Sequence, residues 1–167
     1  MNEFGQILYS AARDSLRGRN AEIFHLRYQF LYAGPDAPAC SLEEIAERLG
    51  MPRNRVRQVL AKSFTRIRWK ASRHIKRGEP AAPCARLLLY LCANVRTEQA
   101  PQAVHAYCRQ LGTKDEWAVV HLVLSLAMPP CDRRRVLLTS IKHLMNCPPA
   151  APAPFQLLPQ TSVSVTI

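Results

Sequence analysis

The ten-residue segment Ser41–Gly50, SLEEIAERLG, constrains the fold more than any other part of this sequence. Ser41 followed three residues later by Glu44 matches a capping box, in which each side chain bonds to the other residue's backbone N–H at the start of a helix. Gly50 is suited to the left-handed conformation that ends many helices. Pro52 fits the first turn of a following helix. The segment therefore predicts a short helix, a tight turn and a second helix.

The second helix is predicted to bury one face and to expose a basic one. Its inward positions are Val56, Val59 or Leu60, Ser63 and Ile67, and its outward positions are Arg53, Asn54, Arg57, Gln58 and Lys62. Ten Lys or Arg residues and no acid lie between Met51 and Gly78. The whole chain has a net charge of +11, so we expect an acidic partner, most simply nucleic acid.

The two helices have the spacing of a helix-turn-helix. Ala46 allows close approach, Gly50 makes the turn and Val56 packs the second helix onto the first. Such a second helix fits the major groove, where Arg can bond guanine and Asn or Gln can bond adenine. Lys62, Arg66, Arg68 and Lys70 are expected at phosphates. The alternative is a helical hairpin whose basic side is only solvated.

The segment Asn20–Tyr28 and the run SLEEIAERLGMPRNRVRQVLAKSFTRIR resemble the fourth conserved region of bacterial primary-type sigma factors, over about residues 5–72. The resemblance implies recognition of the minus-35 promoter element and docking on the β flap of RNA polymerase. It places Arg53, Asn54, Arg57 and Gln58 at base edges. It places Arg27, Ser41, Leu42 and Lys62 at the phosphate backbone, and makes Phe24, Tyr28 and Leu31 candidates for the flap contact.

Two departures from that family bear on function. The family usually has Glu at the position of Asn54, so the preferred hexamer is expected to differ, because a carboxylate accepts a hydrogen bond from cytosine. Nothing here resembles the regions that bind the minus-10 element, so we do not expect a complete sigma factor. The stripe of Phe24, Tyr28 and Leu31 also has an alternative interpretation, in which its helix is sandwiched between neighbours.

The sequence predicts an all-α protein: a sigma region-4-like helix-turn-helix domain followed by a small helical bundle. The expected division is a DNA-binding domain at 1–77, a linker at 78–83, a bundle at 84–146 and a disordered Pro/Ala-rich tail at 147–167. Helices are expected at 3–16 and 21–31, and in the bundle at 84–95, 102–111, 116–128 and 132–145. No signal peptide or membrane span is predicted, so a cytoplasmic location is expected.

No cofactor, metal site or enzymatic activity is predicted. His105 and Cys108 have a spacing compatible with zinc, with Cys84, Cys92 or His121 as further ligands, but buried thiols and a hydrogen-bonded histidine are the preferred interpretation. The leading hypothesis is a sequence-specific DNA-binding transcription regulator of bacterial or phage type. The alternative is an RNA polymerase-binding factor of anti-sigma, appropriation or antitermination type. Double-stranded DNA, the polymerase core and a second copy of the chain bound through the bundle are the expected partners. A recombinase DNA-binding part ranks lower.

Overall fold

The computed structural model describes residues 3–34, 37, 39–111 and 115–147, and within them every regular element is a helix. This confirms the all-α prediction. The helices are α1 (Glu3–Ser15), α2 (Gly18–Tyr28), α3 (Phe30–Ala33), α4 (Leu42–Leu49), α5 (Arg53–Lys76), α6 (Pro83–Val95), α7 (Ala100–Leu111), α8 (Glu116–Ala127) and α9 (Asp132–Asn146). The expected tail, apart from Cys147, lies outside the described residues.

Helix α5 is the centre of the structure. It packs against α1, α2, α4, α6 and α8. Its buried positions recur at helical spacing and bring apolar side chains to all of these neighbours; they are Val56, Val59, Leu60, Ser63, Phe64, Ile67 and Ala71. The hydroxyl of Ser63 donates to the carbonyl of Val59 at 2.8 Å, which satisfies the polar atom inside the core.

The expected linker at 78–83 is a tight connection between two packed helices. Gly78 has a φ of 74°, and the amide of Glu79 donates to the carbonyl of His74 at 2.9 Å, which ends α5 in a Schellman turn. Helix α6 then packs on both α1 and α5. Among the described residues, one cluster of buried apolar side chains therefore runs from α1 to α9, and the division into two domains stays a prediction.

The second predicted helix differs from its expected bounds. It begins at Gly18 with Arg17 as N-cap, so Asn20 lies inside the first turn of α2. It also ends at Tyr28, and α3 follows as a separate short helix from Phe30. Phe30, Leu31 and Tyr32 of α3 are all buried, because α3 packs on α1.

Helices α6 to α9 form the second half of the core. Helix α8 is buried over almost its whole length, as its nearly uniform apolar composition predicts. Helix α7 packs on α6, α8 and α9. No helix among the described residues is long and apolar enough to cross a membrane.

Candidate nucleic-acid interface

The start of α4 has the predicted capping box. The side-chain oxygen of Ser41 accepts from the amide of Glu44 at 3.1 Å, and the Glu44 carboxylate accepts from the amide of Ser41 at 2.6 Å. These bonds to Ser41 lower the pKa of Glu44, because they favour its charged form. The reciprocal bonds fix where α4 begins.

The turn after α4 also has the predicted geometry. Gly50 is left-handed, with φ 60° and ψ 40°, and the amide of Met51 donates to the carbonyl of Ala46 at 3.0 Å. The left-handed region is costly for residues with a Cβ, so glycine is required for an unstrained turn here. Ile45 of α4 and Val56 of α5 are fully buried in the shared core and hold the two helices together. The start of α5 is thereby fixed relative to α4.

The four expected base-reading residues are all exposed at the start of α5: Arg53, Asn54, Arg57 and Gln58. The Nε atom of Arg53 lies 2.7 Å from a carboxylate oxygen of Glu43. Since both side chains are more than half exposed, this ion pair is of the kind that contributes about 0–1 kcal/mol. Arg55 donates to the side-chain oxygen of Gln58 at 3.3 Å. These surface contacts leave the start of α5 accessible to a ligand.

The expected phosphate contacts differ in how accessible their side chains are. Lys62 and Arg66 are exposed on α5, and Ser41 and Leu42 are half-buried at the N-terminus of α4. Arg27 is different, because its side chain is only 12% exposed and is held by two partners. It donates to the carbonyl of Cys40 at 2.9 Å and to the carboxylate of Asp115 at 2.7 Å.

Two cations in the second half of α5, Arg68 and Lys70, bond to neighbouring helices. Arg68 donates to the backbone carbonyl of Ser125 in α8, and Lys70 donates to the backbone carbonyl of Asp14 in α1 at 2.6 Å. Lys70 also forms a 2.9 Å ion pair with the Asp14 carboxylate. Burial lowers the pKa of the Arg68 guanidinium. These two cations therefore join α5 to its neighbours.

The three candidate polymerase contacts lie inside the core. Phe24, Tyr28 and Leu31 are 1%, 4% and 2% exposed. The ring of Phe24 lies 5.0 Å from that of Tyr28 and 6.2 Å from that of Phe64, measured between centroids. Their burial leaves no exposed surface for a partner, and the alternative interpretation of a sandwiched helix describes α2. The reason is that α5 packs on α2 and places the ring of Phe64 against those of Phe24 and Tyr28.

His105 and Cys108 do not come together with a third ligand in the described part of the chain. The group that does come together there is Asp14, His74 and Cys84. The ammonium group of Lys70 already neutralises the Asp14 carboxylate, and His74 bonds to Glu79 through Nδ1 at 2.5 Å. These contacts account for the Asp14 side chain through an ion pair and for the His74 side chain through a hydrogen bond.

Two further residues near the interface have roles in the structure. Asp115 caps α8, which is a local pattern, but its pairing with Arg27 from 88 positions away has no local pattern. Trp69 is 58% exposed on the basic side of α5. Its exposure could have been read from its helical phase, which matches that of Lys62 and Arg66.

The comparisons with known proteins agree with this geometry. Residues 14–68 match the family described as sigma-70, region 4, which is about a third of the chain. No curated protein and no solved structure matches the chain. The matched residues begin at the end of α1 and include the whole of α4 and the first two-thirds of α5. Residues 14–68 therefore form a helix-turn-helix DNA-binding domain similar to sigma-70 region 4.

Proposed function

We propose that this chain is a sequence-specific DNA-binding transcription regulator of bacterial or phage type, acting in the cytoplasm. The observation that carries the proposal is the exposed start of α5, which has no acidic residue and is held by the capped and glycine-ended α4. The family match supports the same assignment. In this proposal α5 enters the major groove of promoter DNA similar to the minus-35 element.

The exposed side chains at the start of α5 suit direct base reading. Arg53 and Arg57 can each bond the two acceptors of a guanine, and Asn54 and Gln58 can each bond an adenine. Arg53 must leave Glu43 to do so, and that exposed ion pair costs about 0–1 kcal/mol to break. A bidentate base contact contributes roughly 1–3 kcal/mol of discrimination, so the exchange favours DNA.

Phosphate contacts would hold α5 in register. Lys62 and Arg66 are exposed on α5, and Leu42 at the N-terminus of α4 offers a backbone amide of the kind that binds anions, whereas the Ser41 amide already donates to Glu44. Arg27 can take this role only by exchanging Asp115 for a phosphate, since its guanidinium is otherwise occupied. The proposal therefore predicts a smaller net contribution from Arg27 than from Lys62.

Selection of bound sequences from random duplex DNA by the purified chain tests the proposal. We expect one enriched hexamer, and we expect it to be lost when Arg53→Ala is combined with Gln58→Ala. Enrichment of no sequence, or an unchanged sequence with the double variant, would contradict it. Because both residues are exposed, the double variant is expected to fold, which circular dichroism can check.

A second candidate function is binding to core RNA polymerase, and a groove between α1, α2 and α3 supports it. The groove has a volume of about 330 Å³ and is lined by Tyr9, Ala12, Leu16, Phe24 and Tyr32, among others. Tyr9 is 40% exposed at its edge. Phe24→Ala would create a cavity in the core and lower the stability of the fold. Tyr9→Ala therefore tests the groove more directly.

Capture of core polymerase without DNA tests this second function. We expect wild type to retain the core enzyme and Tyr9→Ala to retain less. Val136→Ala is the matched control, because Val136 is an exposed apolar residue on α9, a different face of the fold. Absence of capture by wild type would refute the second function and leave the first intact. Homo-oligomerisation through α6 to α9 stays a prediction, and sedimentation of the purified chain measures it.

A further inference from the structure

A second exposed face of α5 lies beyond its base-reading start. Lys62, Arg66, Trp69 and Arg73 follow one another at intervals of four, three and four residues, so their side chains lie on one side of the helix. All four are exposed. Trp69 is 58% exposed, although an indole of this size is ordinarily buried to a large extent. We call these four residues the Trp69 face.

Positive charge surrounds the Trp69 ring. The guanidinium carbon of Arg73 lies 4.6 Å from the ring centroid, in a cation–π contact. Among the residues that the structure describes, no carboxylate lies within ion-pair distance of Lys62 or Arg66. The charges of these two residues are therefore available to an external anion.

The Trp69 ring separates two grooves. One has a volume of about 410 Å³ and is lined by Ala61, Lys62, Thr65, Arg66 and Trp69. The other, of about 340 Å³, lies between α1 and α5 and includes Arg17, Arg73 and Arg77 in its lining. Arg66 and Trp69 belong to both. Each groove thus combines the indole with cationic side chains.

The position of Trp69 along α5 separates it from the base-reading residues. At 1.5 Å per residue, its Cα lies about 24 Å along the helix from that of Arg53. The major groove is about 12 Å wide, so Trp69 lies beyond the groove that the start of α5 would enter. Base reading by the start of α5 therefore gives Trp69 no role, while Lys62 and Arg66 are shared with the proposed duplex phosphate contacts.

We propose that the Trp69 face binds single-stranded nucleic acid. An unpaired base stacks on the indole, while Lys62, Arg66 and Arg73 contact the phosphates on either side. Exposed aromatic rings interleaved with cations are the usual means of binding single strands without sequence preference. A duplex keeps its base faces stacked inside, and an acidic protein would need the cations but not the ring. The inference goes beyond the proposed function, and its test separates the two.

The two tryptophans of the chain make the test direct, because Trp117→Phe leaves Trp69 as the sole tryptophan. The probe is an oligothymidylate of about twelve nucleotides, which forms no duplex. We expect it to quench the Trp69 fluorescence in a saturable way. In anisotropy titrations with the labelled oligonucleotide, Trp69→Ala should weaken binding roughly 5- to 150-fold, the range for loss of one stacked base. Trp69→Phe should retain much of the wild-type affinity for the oligonucleotide.

Two controls separate the Trp69 face from other causes. Val136→Ala removes an exposed apolar residue from α9 and should leave binding of the oligonucleotide unchanged. Arg53→Ala combined with Gln58→Ala should lose duplex specificity but keep single-strand binding. Failure of the proposed function alone would therefore leave the single-strand result standing.

Four results would overturn the inference. The first three are oligonucleotide binding that Trp69→Ala does not weaken, weakening by Trp69→Ala that is equal for duplex and single strand, and displacement of the oligonucleotide by polyglutamate at an equal concentration of charge. The second result would make Trp69 part of a duplex contact. The third would identify a surface for acidic polypeptides. No saturable quenching by the oligonucleotide would also refute it.

Discussion

The ion pair between Arg27 and Asp115 joins the helix-turn-helix to α8, and Asp115→Asn tests what it contributes. Asp115 has two functions at once. One carboxylate oxygen lies 2.7 Å from Arg27, and the other accepts from the amide of Ala118 at 2.9 Å to cap α8. Asparagine keeps an oxygen for the cap but loses the charge. Alanine loses both, so the two variants separate the ion pair from the cap.

The burial of the pair sets the expected magnitude. The side chains are 12% exposed for Arg27 and 37% exposed for Asp115, so the pair lies between the surface and the interior. Exposed pairs contribute about 0–1 kcal/mol and breaking a buried pair costs about 3–5 kcal/mol, which suggests about 1–2 kcal/mol for Asp115→Asn. Asp115→Ala should lose about 1 kcal/mol more, the typical value of an N-cap. For a chain of this length, the change for asparagine corresponds to a fall of roughly 2–8 °C in Tm.

Urea denaturation of the variants measures these differences. The matched control is Asp132→Asn, because Asp132 pairs with Arg135 at the start of α9 while both side chains are largely exposed. We expect the control to lose less than about 0.5 kcal/mol. Equal stability of wild type and Asp115→Asn would refute the reasoning, as would equal losses for asparagine and alanine. The asparagine variant should also bind duplex DNA more tightly, because it releases Arg27 for a phosphate.

Two further predictions concern the ends of α4. Gly50→Ala should lower the free energy of unfolding by about 1–2 kcal/mol, because Gly50 is left-handed and a Cβ there meets no atom within 4 Å, so strain is the only cost. Gly78→Ala introduces the same strain, so we expect an equal loss of stability in urea but an unchanged DNA affinity. A Gly50→Ala variant as stable as wild type would contradict the turn geometry. The lowered pKa of Glu44 means that its carboxylate stabilises the fold above the ordinary glutamate pKa, and that this contribution is lost as the pH falls through the lowered value. The free energy of unfolding should therefore fall at acid pH in wild type by a contribution that is absent in Glu44→Gln. Parallel plots of the free energy of unfolding against pH for the two proteins would refute the bond to Ser41.

The sequence predicts the helix-turn-helix well because its signals are local. Ser41 and Glu44 are three residues apart, and Gly50 acts through its own backbone angles, so each can be recognised without knowing the rest of the fold. The exposure of Arg53 and Gln58 likewise follows from the helical phase of the buried Val56. Short-range geometry determines all of these features.

Features that depend on distant packing could not be predicted in the same way. The sequence leaves two interpretations of the stripe that contains Phe24 and Tyr28, and only the position of α5 decides that both side chains are buried. The expected linker likewise gives no sign that α6 packs back on α1 and α5. The pairing of Arg27 with Asp115 spans 88 positions and has no local signature.

The central claim is that the start of α5 reads a DNA sequence, and the specificity ratio tests it most directly. The measurement is the affinity for the selected hexamer divided by that for unrelated duplex DNA of equal length, at one fixed salt concentration. Arg53→Ala combined with Gln58→Ala should reduce this ratio. The free-energy difference between the two DNA sequences should fall by about 2–6 kcal/mol if both contacts are bidentate. Lys62→Ala should weaken both affinities equally and lower the salt dependence by about one phosphate contact. An unchanged ratio in the double variant would contradict the account.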